Sequence, residues 1–206
     1  MKNILVIGVD SMLADAYKLA QQIYPDRKVE KCFIPSRDYY SFTLSGLESY
    51  SPEDWCVFVA VNEFYINDVR RALFDQVMTF GYDTVSLVSP DAYVGNDVKI
   101  GSNVFISPGC FVGAGTVLDD CSVLRPNTVL SDNVTIGKYV MLEANVSIRE
   151  LCVVGDFSTI CANSSLVRST TIGAHCYLNL SRQYSGDIPA CTFYSPVFEN
   201  PVRVLP

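Results

Sequence analysis

One side chain of this sequence is a candidate to carry a proton in catalysis. His175 is the only histidine among the 206 residues, and an imidazole changes its charge close to neutral pH. Its structural interpretation is a side chain that faces solvent or a neighbouring subunit.

His175 lies in a long repeat that must position it. Aliphatic residues stand six apart, sixteen times without a break. They are Val88, Val94, Ile100, Ile106, Val112, Leu118, Leu124, Leu130, Ile136, Leu142, Ile148, Val154, Ile160, Leu166, Ile172 and Leu178. A period of six fits neither a helix nor a simple strand, but it fits a chain wound as a three-sided prism. The repeat predicts a parallel β-helix from about residue 86 to 181, with His175 at an outward corner.

The residues around each aliphatic position support this interpretation. The residue two places earlier is mostly small or β-branched, and strand alternation directs both side chains inward. Cys110, Cys152 and Cys176 occupy this inner position and are interpreted as core residues. Glycine follows several of the aliphatic residues, including Gly173, where a corner needs a tight or left-handed backbone.

Composition narrows the function and the compartment. A net charge of −7 argues against a nucleic-acid surface, which would need a basic face. The apolar run at the N-terminus turns polar at Asp10, too early for a signal-peptide core or a membrane span. The eight cysteines form no CxxC pair and no zinc-type cluster with histidine. We therefore expect a cytoplasmic protein with free thiols and no metal.

The first 84 residues have a different pattern. Apolar runs alternate with stretches of helical spacing, which favours a small Rossmann-like α/β domain. The predicted elements are a strand at Lys2–Gly8, a helix at Ser11–Tyr24, strands at Lys28–Pro35 and Trp55–Val61, a helix capped by Asn62 and running through Ile66 to Gly81, and a strand at Thr84–Val88.

Two irregular segments complete the chain. Residues 36–52 form a loop beyond the carboxyl ends of the strands, where such domains bind ligands. In this loop Tyr39, Tyr40 and Phe42 could stack on a base or sugar, or simply be buried against the prism. Residues 182–206 contain four prolines, which predicts an extended tail folded back over the end of the prism.

Several motifs resemble those of a known family. They are VIG at Val6–Gly8, FVAV at Phe58–Val61, GYDTVSLVSPDA at Gly81–Ala92, CVVGDF at Cys152–Phe157, DIP at Asp187–Pro189 and NPVR at Asn200–Arg203. With the two-domain plan they resemble the bacterial hexapeptide-repeat sugar O- and N-acyltransferases, of the sialic acid O-acetyltransferase and nucleotide-amino-sugar N-acetyltransferase type. The resemblance implies a left-handed β-helix, a homotrimer, acetyl-CoA bound between adjacent prisms, and a nucleotide-sugar held partly on the α/β domain.

The resemblance also assigns residues to the site. Glu150 stands where the family has its catalytic histidine, and His175 remains the other catalytic candidate. A carboxylate accepts a proton readily only where burial makes its charged form costly, and pairing with the adjacent Arg149 would have the opposite effect. The structural interpretation of Glu150 is a solvated corner charge. Gly8, with Asp10 and Ser11 after it, replaces the glycine-rich turn that approaches the nucleotide, although Asp10 near a helix start would repel phosphate. The contacts to pantetheine are expected at Asn179, Leu180 and Ser181, where the family has a glycine-containing segment, and at Gly173.

The function expected on these grounds is an acyltransferase that depends on acyl-CoA, with acetyl-CoA as the expected donor, and acts on a nucleotide-linked amino sugar or related sugar in surface polysaccharide biosynthesis. Two variants stay open: a neutral sugar amine that attacks without a base, and a different acyl donor if Leu180 closes the pantetheine groove. The rival is a catalytically silent trimeric β-helix that serves as a binding or scaffold protein, because Glu150 and residues 179–181 depart from the family pattern.

Overall fold

The N-terminal region folds around a parallel sheet. The computed structural model describes residues 1–36, 38, 41–64 and 67–204. Its four-stranded sheet has the order β2-β1-β3-β4. The strands are β1 (Asn3–Gly8), β2 (Val29–Phe33), β3 (Trp55–Ala60) and β4 (Asp83–Thr84). All of β3 and nearly all of β1 are buried, as expected of central strands in a parallel sheet. The Rossmann-like prediction is confirmed.

Two helices flank the sheet, α1 (Asp10–Ile23) and α2 (Asp68–Thr79), and a 3₁₀ helix covers Ser45–Ser49. The predicted cap at Asn62 was wrong: α2 begins after Asn67, whose φ is +66°. A left-handed residue cannot continue a right-handed helix, so Asn67 fixes the start of α2. Ile66, which the sequence predicts in the same helix, lies outside the described residues.

The prism follows directly and has three faces. The first has eight strands: β5 (Leu87–Val88), β8 (Phe105–Ile106), β11 (Val123–Leu124), β14 (Met141–Leu142), β17 (Thr159–Ile160), β20 (Tyr177–Leu178), β23 (Thr192–Tyr194) and β24 (Val202–Arg203). The second has β6 (Tyr93–Val94), β9 (Phe111–Val112), β12 (Val129–Leu130), β15 (Ser147–Ile148), β18 (Ser165–Leu166) and β21 (Gln183–Tyr184). The third has β7 (Lys99–Ile100), β10 (Val117–Leu118), β13 (Thr135–Ile136), β16 (Val153–Val154), β19 (Thr171–Ile172) and β22 (Asp187–Ile188).

The aliphatic ladder forms the prism core, as predicted. From Ile106 to Leu178 its members are at most 1% exposed. Val88, Val94 and Ile100, in the first coil, are partly exposed because that coil ends the stack. Cys110, Cys152 and Cys176 are buried in the same core, and none of the eight cysteines forms a disulfide. The fold class is the predicted one, a Rossmann-like domain followed by a left-handed parallel β-helix.

The coil continues further than residue 181. Tyr184 takes the next position of the ladder and is 3% exposed. Strands β21, β22 and β23 each pair in parallel with the coil before. The chain then turns back, and Val202–Arg203 pairs antiparallel with Thr192–Phe193. The extended tail therefore begins after Tyr194 and covers part of the last coil.

The two regions pack through the first face. Leu87, Phe105, Val123 and Met141 share an apolar cluster with the buried side of α1. Among the described residues, no side chain of the other two faces belongs to this cluster, and the corner between those two faces lies opposite the face that packs on the α/β domain. No helix in the described part of the chain combines the length and apolar character that a membrane span needs.

Candidate functional site

A small pocket lies at the carboxyl ends of β1 and β2, where the sequence predicts ligand binding. Its volume is about 190 Å³. The lining residues are Val9, Asp10, Phe33, Ile34, Ser36, Phe42 and Phe64. The rings of Phe42 and Phe64 lie 6.3 Å apart between centroids, so the pocket offers aromatic surface for a flat ring. Tyr39 and Tyr40, predicted to stack on the ligand, lie outside the described residues. We call this cavity the edge pocket.

Three predicted substrate-binding residues lie beside the edge pocket. Gly8 ends β1, and a Cβ there would lie 1.9 Å from the carbonyl oxygen of Ala60. Strand packing therefore requires this glycine, whatever it does for a ligand. Asp10 has a φ of +54° and opens α1, so its carboxylate lies at the positive end of the helix dipole. Ser11 follows it and is exposed.

Glu150 lies at the corner between the second and third faces. Its Oε2 is 3.8 Å from Nε of Arg149, and its side chain is 41% exposed. The Oε2 atom itself is shielded from solvent, with no hydrogen-bond partner among the described residues. Burial, with a smaller contribution from the charge of Glu150, raises the pKa of the nearby Cys152 thiol. The carboxylate is thus partly desolvated on one oxygen and accessible overall.

His175 lies at a different corner, between the third face and the face that packs on the α/β domain. Its imidazole stacks on the ring of Phe157, with 4.6 Å between centroids and 7° between planes. The Phe157 ring in turn stacks on Tyr139 at 4.9 Å. The predicted outward corner position is correct, and aromatic stacking rather than open solvent surrounds one side of the ring.

The predicted pantetheine contacts lie at the third corner, where the second face meets the first. The Asn179 N–H donates to the carbonyl of Tyr194 at 2.9 Å, and Ser181 Oγ donates to the carbonyl of Asn163 at 3.1 Å. The Leu180 carbonyl accepts from the hydroxyl of Tyr184 at 2.7 Å. These bonds fix the backbone of the segment and leave the Ser181 side chain at the surface.

Gly173 has a structural reason of its own. A Cβ there would lie 2.3 Å from the backbone nitrogen of Ala190 in the next coil. Asp156, in the CVVGDF motif, is similar: its Oδ1 accepts from the N–H of Lys138 at 2.8 Å, in the space that a side chain on Gly137 would fill. Both positions therefore hold successive coils together.

The candidate residues do not converge within one chain. Glu150, His175 and the 179–181 segment occupy three separate corners, while Gly8, Asp10 and Ser11 lie on the α/β domain. The period of the ladder already places positions 150, 175 and 181 on different corners. A site that combines the three corners requires more than one copy of the prism.

Sequence reasoning missed two buried polar residues between the domains. Arg70 is 0% exposed, and its guanidinium donates to the carbonyls of Tyr139 and Val61 and to Oδ1 of Asn67. Burial lowers the pKa of Arg70 to about 10. The sequence did contain one sign of this burial. Arg70 lies next to Val69 and one turn before Leu73, on the side of α2 where the helical spacing places apolar residues.

A larger cavity of about 540 Å³ also escaped prediction. It lies between the 3₁₀ helix and the end of α2. Its lining residues are Thr43, Leu44, Ser45, Leu47, Glu48, Tyr50, Pro52, Gln76, Phe80 and Tyr82. We favour the smaller edge pocket as the functional one, because it lies at the carboxyl ends of the strands, where parallel α/β domains bind ligands.

Comparisons with known proteins identify structural neighbours. No protein-family model matches the sequence, and no curated protein sequence is detectably similar. The acetyltransferase domain of PglB from Neisseria gonorrhoeae FA1090, in complex with acetyl coenzyme A, is 21% identical, with a TM-score of 0.82 over 94% of this chain and 96% of that one. PerB from Caulobacter crescentus, in complex with CoA and GDP-perosamine, is 16% identical, with a TM-score of 0.82 over 94% and 93%. At these identities the likeness establishes the shared two-domain fold.

Proposed function

We propose that this protein is an acyltransferase that moves an acyl group, with acetyl-CoA as the donor, to an amine or hydroxyl of a nucleotide-linked amino sugar or related sugar. The observation that supports this proposal most strongly is the shared fold, which covers 94% of the chain. One of the two similar structures holds acetyl-CoA, and the other holds CoA together with GDP-perosamine. Both domains take part in this likeness, which a scaffold role would not require. Surface polysaccharide biosynthesis in the cytoplasm is the setting we propose.

The chemistry follows from the acyl donor. The acceptor nitrogen or oxygen attacks the thioester carbonyl, and the tetrahedral intermediate collapses as the carbon–sulfur bond breaks. CoA leaves as a thiolate and takes up a proton, while the acceptor loses one. Glu150 and His175 are the residues that we propose to handle the acceptor proton. A neutral amine held in position would need less help.

Substrate binding is divided between the two regions. We assign the base of the sugar-nucleotide to the edge pocket, beside Gly8, Asp10 and Ser11, because the aromatic walls of this pocket suit a flat ring. We assign pantetheine to the surface formed by Asn179, Leu180 and Ser181. Gly173, which precedes this segment in the sequence, is assigned to the same ligand. The exposed Ser181 side chain supports contact with a ligand there.

The separation of the corners supports a homotrimer. Residues on different corners of one prism meet only when copies pack side by side. The second face carries an exposed apolar column suited to such packing: Tyr93, Phe111 and Val129 are 58%, 42% and 40% exposed. The rings of Tyr93 and Phe111 stack at 4.8 Å. Light scattering should give three times the chain mass of 22.8 kDa, and a monomer mass would contradict this assembly.

A direct assay tests the activity. The protein is mixed with acetyl-CoA and, in turn, with UDP- and GDP-linked amino sugars, and the release of free thiol is followed with a chromogenic disulfide. Acceptor-dependent thiol release, with an acetylated product in the mass spectrum, supports the proposal. CoA binding with no transfer to any acceptor would favour the catalytically silent binding protein.

A further inference from the structure

The imidazole of His175 is held by a column of corner residues. Asn103, Cys121, Tyr139, Phe157 and His175 occupy the same corner in successive coils, and all have φ between +55° and +61°. The rings of the last three stack on one another, with centroid separations of 4.9 and 4.6 Å. The plane of the imidazole is therefore set by Phe157, whose ring position depends on its own backbone.

A buried amide holds that backbone from the α/β domain. Asn67 is 0% exposed, and its Nδ2 donates to the carbonyl of Phe157 at 3.2 Å and to Oγ1 of Thr159 at 3.1 Å. Its Oδ1 accepts from Arg70 at 2.9 Å. Arg70 also donates to the carbonyl of Tyr139 at 2.7 Å. The pair therefore binds the backbone of both rings beneath His175.

An apolar cluster links the edge pocket to the same column. Phe64 lines this pocket together with Phe42. Phe42, Phe64 and Phe157 pack against one apolar cluster that also contains Tyr139. The aromatic wall of the pocket and the ring on which His175 stacks therefore share one cluster.

We propose that Asn67 is a positioning residue, which orients the His175 imidazole toward the acceptor through Phe157, with Arg70 fixing the Asn67 side chain. The catalytic meaning rests on the proposed acyl transfer, in which Glu150 and His175 handle the proton that the acceptor loses. A purely structural Asn67 would join the two domains without affecting the imidazole. The two roles differ in what happens at His175 when the amide is changed.

The single histidine makes this difference measurable. In the full-length protein labelled at histidine carbon, the ring protons of His175 give one set of NMR signals, shifted by the ring current of Phe157. Phe157→Leu removes the ring that stacks on His175, and its spectrum gives the change in chemical shift expected when this stacking is lost completely. Asn67→Asp keeps an acceptor for Arg70 but removes the donor to Phe157, and Asn67→Gly keeps the left-handed backbone without a side chain. Thr159→Val removes the other partner of the amide and serves as the matched control.

Both Asn67 variants should move the His175 signals at least halfway toward those of Phe157→Leu, while Thr159→Val leaves them in place. With an acceptor in hand, Asn67→Asp should lower kcat roughly tenfold with little change in KM. The proposal is overturned if the signals stay at the wild-type positions although the melting temperature falls, or if they move and kcat does not change. Because the spectra need no substrate, a protein without transferase activity would refute the proposed function and leave the positioning result to be decided separately.

Discussion

The interior and the corners of the prism follow different rules. Inside, one aliphatic side chain per strand repeats from coil to coil, and nearly all are completely buried. At the corners, the same structural position carries cysteine, tyrosine, phenylalanine and histidine in turn. The interior makes each coil a support for the next, so its residue types are constrained. The corners need only a left-handed backbone and a few hydrogen bonds, so they are where chemistry can be placed.

The largest expected effect contrasts the two environments on one strand. Ile136→Ala leaves a cavity in the fully buried ladder and should lower the free energy of unfolding by about 3 kcal/mol. Thr135→Ala, one residue earlier and exposed, should change it by less than about 0.5 kcal/mol. Denaturant unfolding followed by circular dichroism measures both. Equal losses would show that the ladder does not carry the stability of the prism.

The second prediction concerns the corner that points away from the α/β domain. If Glu150 accepts a proton in the reaction, Glu150→Gln should lower kcat roughly a hundredfold and leave the melting temperature unchanged. Glu53→Gln, the same chemical change in the α/β domain, is the control. Wild-type turnover in Glu150→Gln removes Glu150 as the base and leaves His175 as the candidate.

The third prediction concerns Cys121, a corner residue whose side chain is buried. Burial raises the pKa of Cys121 from 9.0 to about 12, so the folded state keeps a proton that the unfolded chain loses. The stability from this group is complete below about pH 9 and declines as the pH rises toward 12. Cys121→Ala should therefore flatten the fall of the melting temperature across that range. An identical alkaline slope in both proteins would contradict a buried neutral thiol.

The smallest expected effect is at the edge pocket. Asp10→Asn removes a negative charge from the start of α1 and keeps a residue that tolerates the left-handed backbone. Binding of UDP should strengthen roughly two- to fivefold, because the carboxylate no longer opposes phosphate near the helix N-terminus. Calorimetric titration measures the change, with Asp26→Asn as the control. Unchanged affinity would place the phosphates away from Asp10.

The contrast between interior and corners also explains how far the sequence could be read. The ladder was predictable because sixteen repeats of one inward position leave little ambiguity. The start of α2 was missed because Asn67 is stabilised by Phe157 and Thr159, some ninety residues later in the chain. The role of Arg70 was missed for the same reason, since its main partner is the carbonyl of Tyr139. Contacts between distant segments leave no local pattern.

The candidate site divides in the same way. Gly8 was singled out by the family resemblance and Gly173 first by the pattern of the repeat, and a Cβ at either would collide with a neighbouring backbone. Their presence follows from packing whether or not a ligand binds. Glu150 is partly exposed and His175 stacks on Phe157, and both carry side chains that can exchange a proton, which makes them the more informative positions for function.

The binding of acetyl-CoA tests the central claim most directly. Isothermal titration of the purified full-length protein with acetyl-CoA should show one site per chain, with a dissociation constant below about 1 mM. Ser181→Trp at the third corner should abolish the heat of acetyl-CoA binding, while Ser51→Trp in the α/β domain should leave it unchanged. No detectable heat for the wild-type protein at millimolar acetyl-CoA would contradict the acyltransferase assignment.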